Sequence, residues 1–213
     1  MTSKSSKGQR LVEIGKIEKT PVSRGGRKLL LITLVFRGTD SPQDYVEKFD
    51  LYWQQVGEHI SNLEAKLGKL SRLYHELISL ADEEGLKVLE KLNPSSWQLI
   101  KARCENGAKF EATEDKDLVE ESIDWERCLL AGLLSSKVAQ MVSEFYMEAF
   151  RKRHQHIARR IDETLKEGEV AALIIGERHA VQFPGDIDVF SVAPPALDQI
   201  HKWLRDYNPA KEK

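Results

Sequence analysis

Cysteine is scarce in this chain, and the two present, Cys104 and Cys128, form no CxxC pair. No histidines stand where they would complete a zinc site with them, so neither a disulfide framework nor a cysteine-based metal centre is indicated. Long apolar runs are also missing. The longest, residues 29–36 with Thr33 inside it, is less than half of what a membrane span requires. The opening MTSKSSKGQR is polar and has no apolar h-region, which argues against a secretory signal and sets the expected compartment as the cytoplasm, with no membrane partner. The phosphate-binding GxxxxGK[ST] spacing, HExxH, GxSxG, a glycine-rich dinucleotide fingerprint and EF-hand spacing are all absent, and no internal repeat or low-complexity tract occurs. No catalytic residue, metal ligand or cofactor is therefore assigned.

What remains is a globular composition. A hydrophobic content of 41% over 213 residues suffices for one well-buried core, while 31% charged residues suits long solvated helices. The net charge of −2 hides an asymmetry. Residues 1–40 hold nine Lys or Arg against three acids, a surplus of six, so the remainder carries about −8. Such segregation suggests an acidic partner or nucleic acid.

Along the chain, residues 1–9 read as a disordered leader. Residues 11–19 alternate and residues 28–37 are rich in leucine and β-branched residues, separated by a turn holding Pro21, Gly25 and Gly26. These features predict a β-hairpin over residues 10–40. Ser41-Pro42 then opens a helix expected to run to about residue 80, with a stripe from Tyr45 to Ile78 at three-and-four spacing. Gly57 and Gly68 fall within it. Its expected partner is a second long helix over residues 135–167, which Gly168 closes, so that Ile60 and Leu63 face that helix across an antiparallel, coiled-coil-like seam. Shorter helices are expected over residues 82–92, 95–105 and 117–134. Residues 170–175 and 187–193 read as strands and 196–207 as a closing helix. The domain reading is thus a helical region over 41–167 followed by a ββα unit over 168–213. The predicted class is α+β: long antiparallel helices and a helical bundle beside a small mixed sheet, built from the N-terminal hairpin and the C-terminal strands.

Two basic stretches point to nucleic acid. In the first, Arg24, Arg27 and Lys28 flank Gly25-Gly26, whose freed backbone N–H groups could cup a phosphate. The second spans residues 151–160, where Arg151, Gln155 and Arg159 align at four-residue spacing and Lys152, His156 and Arg160 align beside them. Such a strip could track a phosphate backbone. Eight acids between Glu111 and Glu126 read as a solvated loop and helix start, or as a contact for the basic elements. Asp186 and Asp188, with His179 nearby in sequence, supply an alternative reading: a hydrolase or phosphate-handling enzyme centred on that loop.

The segment from Ile161 to Ile175, IDETLKEGEVAALII, resembles the helix, acidic-glycine turn and buried strand that open the third domain of peptide-chain release factors and Pelota-type ribosome-rescue proteins. That resemblance implies a ribosome-associated or RNA-contacting adaptor. It does not imply peptidyl-tRNA hydrolysis, because Gly25-Gly26 is followed by Arg27 where that family carries glutamine. The expected function is accordingly a non-catalytic binding or adaptor protein, with RNA, a ribonucleoprotein or another protein as partner. The further alternative is a structural, oligomerising helical protein, including a homodimer.

Overall fold

The computed structural model describes residues 25–207. Five strands form one sheet: β1 (Arg27–Thr33), β2 (Leu70–His75), β3 (Lys109–Phe110), β4 (Val170–Ile175) and β5 (Ile187–Val192). Their spatial order is β3-β2-β4-β1-β5, and every pair is parallel. Six helices connect or cover them: α1 (Gln43–Leu67), α2 (Asp82–Leu92), α3 (Pro94–Cys104), α4 (Lys116–Leu130), α5 (Ser136–Thr164) and α6 (Pro195–Asp206).

The class is therefore α/β, and the expected α+β fold with a small mixed sheet is corrected. Residues 27–33 are not one arm of a hairpin. They form a central strand, with Leu29 in register with Ala171 of β4 on one side and with Val189 of β5 on the other. The other expected arm, residues 11–19, lies outside the described residues. The physical reason is legible in burial. A central parallel strand is covered on both faces, so its sequence is apolar without alternation; all six residues of β4 are buried, as are Leu29, Leu30 and Ile32 of β1.

The long first helix is shorter than its stripe. It stops where Gly68 adopts a φ of 109°, and residues 70–75 become β2. Leu70, Leu73 and Tyr74 continue the apolar pattern because a strand buried on both faces places apolar residues at any spacing, including the helical one. The expected pairing of the two long helices is also overturned, since α1 and α5 lie on opposite faces of the sheet. Phe49, Val56 and Ile60 of α1 share a core with Leu30, Ile32, Ala172 and Ile174, joined by α3 and α6. The alternate strand residues Leu29, Ala171, Leu173 and Ile175 turn to the other face and pack on Ile157 and Ile161 of α5. Two faces of one sheet each require a cover, and each long helix supplies one.

Candidate functional site at the carboxyl edge of the sheet

In an open parallel sheet the strands all release their chains at one edge, and ligands bind in the crevice there where neighbouring connections depart to opposite faces. Here that strand is β4. The chain leaving β1 and that leaving β2 enter the α1 face through Leu34, Val35 and Ile78, whereas the chain leaving β4 crosses the α5 face through Val181 and Phe183. Glu76 follows β2, Glu114 follows β3, Gly176 and His179 follow β4, and α5 delivers Arg153 and His154 above them.

Arg153 is buried and held from two sides. Its Nε donates to both carboxylate oxygens of Glu114, at 3.0 and 3.1 Å, and its Nη2 donates to Glu76 Oε1 at 2.8 Å. Burial opposes the guanidinium charge, but the two carboxylates outweigh it and hold Arg153 above its ordinary pKa. The second oxygen of Glu76 accepts the Gly176 N–H at 2.6 Å. A Cβ at position 176 would lie 3.1 Å from that oxygen, so glycine permits the close approach. Leu77 adopts a φ of 69°, and its N–H donates to Glu114 Oε1 at 3.2 Å. A positive φ at a bulky residue costs on the order of 1–3 kcal/mol and is kept where the surroundings enforce it. Beneath this layer lies His75, wholly buried, with Nδ1 against the Glu76 carbonyl and Nε2 3.1 Å from Ser96 Oγ. Burial pushes its pKa down to about 4, so it is neutral near pH 7.

His154 is buried as well. Its Nδ1 lies 2.7 Å from the Phe150 carbonyl, which can only accept, so Nδ1 carries the proton and Nε2 keeps its lone pair. Burial, with Arg153 adding to it, lowers the His154 pKa, which favours the neutral ring. His154 lines a cleft of about 600 Å³ between α5 and the chain leaving β4, together with Met147, Phe150, Arg151, Gln155 and Ala180. That volume lies within the usual range of small-molecule sites. His179 stands on the same side. Its Nδ1 accepts the Val181 N–H at 3.3 Å, leaving Nε2 to bear the proton in the neutral ring. Its pKa is lowered by burial and then by His154. One imidazole thus offers an acceptor and its neighbour a donor.

The residues singled out from sequence are distributed differently. Arg24 lies outside the described residues. Arg27 begins β1 at the opposite, amino edge, paired with Asp186 and Asp162 at 2.8 Å each, and Lys28 is buried with Nζ donating to the Gly26 carbonyl. Asp186 and Asp188 flank the start of β5 at that same amino edge, whereas His179 follows the end of β4. A parallel sheet of six-residue strands therefore separates the histidine from both aspartates by roughly 20 Å. The Arg27 guanidinium holds Asp186 below the usual carboxylate range. On α5, Arg151, Lys152, Gln155 and Arg159 are exposed, while Arg160 donates to the Ala112 carbonyl and pairs with Glu163. Arg151 and Gln155 reach the cleft; Arg27 and Lys28 do not.

Sequence reasoning missed Arg153, His154, Glu76 and Glu114 as a group. One signal was present: Arg153 stands four and eight residues before Ile157 and Ile161, placing a charge on the apolar face of α5. Its partners come from two other connections, a juxtaposition that no local pattern encodes. The acidic stretch does make intramolecular contacts to basic residues, through Glu114 to Arg153 and Glu111 to Arg72. Among the described residues no group of three or more His, Cys, Asp or Glu is arranged to hold a metal ion, and no helix is long and apolar enough to cross a membrane. Comparison of the chain with protein-family models, with curated proteins and with solved structures finds no match, so the site's own geometry carries the functional argument.

Proposed function

We propose that this chain is a ligand-binding α/β protein of the acid–base hydrolytic type, with its site in the cleft beside β4 and His154 as the general base. The observation that carries this reading is a single imidazole: favoured in its neutral form, oriented by the Phe150 carbonyl so that Nε2 keeps its lone pair, and lining the cleft while itself buried. A base in this state takes a proton without first losing one. His179, whose neutral ring carries its proton on Nε2, stands near His154 without lining the cleft and takes no assigned role. Arg151 favours a substrate with an acidic group, and Met147, Phe150, Ala158 and Ala180 favour an apolar or aromatic body.

The test is a panel of chromogenic carboxylic and phosphoric esters assayed with wild type and His154→Ala, with circular dichroism to check the fold. Saturable turnover that falls at least about 100-fold in the variant supports the reading. The wild-type kcat/KM should rise with pH through a pKa below 6.5, because the base works deprotonated and its pKa is lowered. Absence of turnover, together with no chemical-shift change at His154 on adding aromatic carboxylates or phosphates, counts against it.

A second reading, RNA binding, is favoured by the exposure of Arg151, Lys152, Gln155 and Arg159 on the outer side of α5. With Arg27 and Lys28 engaged elsewhere, about three phosphate contacts remain, and for single-stranded RNA the logarithm of affinity should fall with the logarithm of salt at a slope of roughly −2. Titration at about 50 mM salt should show binding that Arg151→Gln with Arg159→Gln weakens and His154→Ala leaves intact. No binding under those conditions removes the nucleic-acid reading.

A further inference from the structure

The hairpin formed by α4 and α5 extends past both hydrophobic cores. No residue of α4, and none of α5 before Ile157, belongs to either. Beyond incidental contacts, α4 packs against α5 alone. Val142 and Ala149 are buried between the two helices, and Trp125 stacks on Phe145 with ring centroids 4.9 Å apart. Two helices make only a seam, and one flank of this one is left open: Val138 and Met141 are each more than 40% exposed, Phe145 remains equally exposed beside its stack on Trp125, and Leu134 at the turn is fully so.

Within α5, Val138, Met141 and Phe145 follow the three-four spacing of heptad a, d, a positions, and Leu134 lies just before the Ser135 cap. The e positions of the same frame, Val142 and Ala149, face α4 and are occupied. Its g positions lie on the open flank and carry charges of opposite sign seven residues apart, Lys137 and Glu144. When two such helices pair antiparallel, g faces g. An antiparallel seam packs a against d, so a two-fold axis midway between Val138 and Met141 sets each Val138 against the other chain's Met141 and brings each Lys137 beside the other chain's Glu144. A parallel pairing would place g against e positions that α4 already covers.

We propose that the α4–α5 hairpin is a homodimerisation element, in which two copies join antiparallel through the α5 stripe to form an intermolecular four-helix bundle. The opposite charges on the open flank select a second copy as the occupant, since the sequence complements itself under that two-fold. Met147, Arg151 and His154 lie further along α5, so the bundle would stand beside the cleft without filling it.

Sedimentation velocity on the full chain, from roughly 1 to 100 µM, decides the matter. The expected result is a concentration-dependent dimer. Met141→Glu, a substitution at a half-exposed position that the monomer tolerates, should raise the dissociation constant at least about 100-fold by burying an unpaired charge. Lys137→Glu should raise it about tenfold, and the double variant Lys137→Glu with Glu144→Lys should bring it back to within about threefold of wild type. A wild-type monomer throughout the range, a dimer indifferent to Met141→Glu, or a double variant no better than Lys137→Glu alone would each overturn the proposal.

Discussion

Arg153 shows how a single side chain can be decisive and still cost stability. Its burial is repaid only while both carboxylates remain, and removing one partner from a buried ion pair costs about 3–5 kcal/mol, because the other charge is left uncompensated. Glu114→Gln, which strips the charge from a residue whose side chain is wholly buried, should therefore destabilise by that order, read as a lower urea midpoint at unchanged slope. Arg153→Met should approach the same loss. His75 makes a different prediction, about pH. Its folded pKa of about 4 lies below the ordinary 6.5, so as pH falls below 6.5 the unfolded chain takes up a proton that the folded chain refuses. Stability is fully present above that point and declines toward pH 4, by up to about 3 kcal/mol from this group. The lowered pKa values of His154, His156 and His179 act in the same direction. Urea denaturation at pH 7.0, 6.0, 5.0 and 4.5 should show the decline, and His75→Gln should flatten it. Apart from Arg153, which stands on the apolar face of α5, none of these residues announces itself in sequence. His75 ends an apolar strand, and a buried neutral imidazole has the same letter as a solvated one.

At the scale of elements, local signals located several punctuated helix ends well, although Gly68 and Gly132, which follow the true ends of α1 and α4, were read through. Ser135 caps α5 by accepting the Val138 N–H, and Asn93 caps α3 by accepting the Ser96 N–H. α2 and β4 coincide with the stretches that sequence periodicity marked out. The misreading lay where a strand imitated a helix, in β2, and where a strand was too short to have a period at all, in β3. Two glycines inside helices illustrate the limits of propensity and make opposite predictions. Gly57 of α1 has open space where a Cβ would stand, so Gly57→Ala should stabilise by about 0.5–1 kcal/mol. Gly85 of α2 has the same intrinsic preference, but its Cβ would lie 2.2 Å from the Leu80 carbonyl oxygen and 3.1 Å from the Phe110 ring. Gly85→Ala should therefore destabilise by at least about 1–3 kcal/mol, the overpacking range, despite the helical gain. Thermal melts of the two variants should move in opposite directions.

For the molecule as a whole, the parallel arrangement was hidden because strand pairing is a long-range property. The apolar runs of β1 and β4 mark them as buried, but nothing within either states which edge meets which or in what direction. Both α1 and α5 carry stripes suited to a partner helix, and only the intervening sheet shows that each stripe covers a different face. Hydrogen exchange should reflect this division, with amides of β1 and β4 the slowest and those of α4 opening well below the global free energy. The position of β1 has a further consequence for synthesis. Both of its hydrogen-bonding neighbours come from the far end of the chain, since Lys28 is in register with Val170 and with Asp188. A ribosome working at about 5–20 residues per second leaves the run from Leu29 to Val35 without its partners for on the order of ten seconds. Pairing of β1 therefore waits until β4 and β5 have emerged, and the growing chain presents an apolar segment to chaperones throughout that interval. Nascent chains arrested before β4 emerges should remain protease-sensitive and chaperone-bound, and those arrested with β5 and α6 clear of the exit tunnel should not.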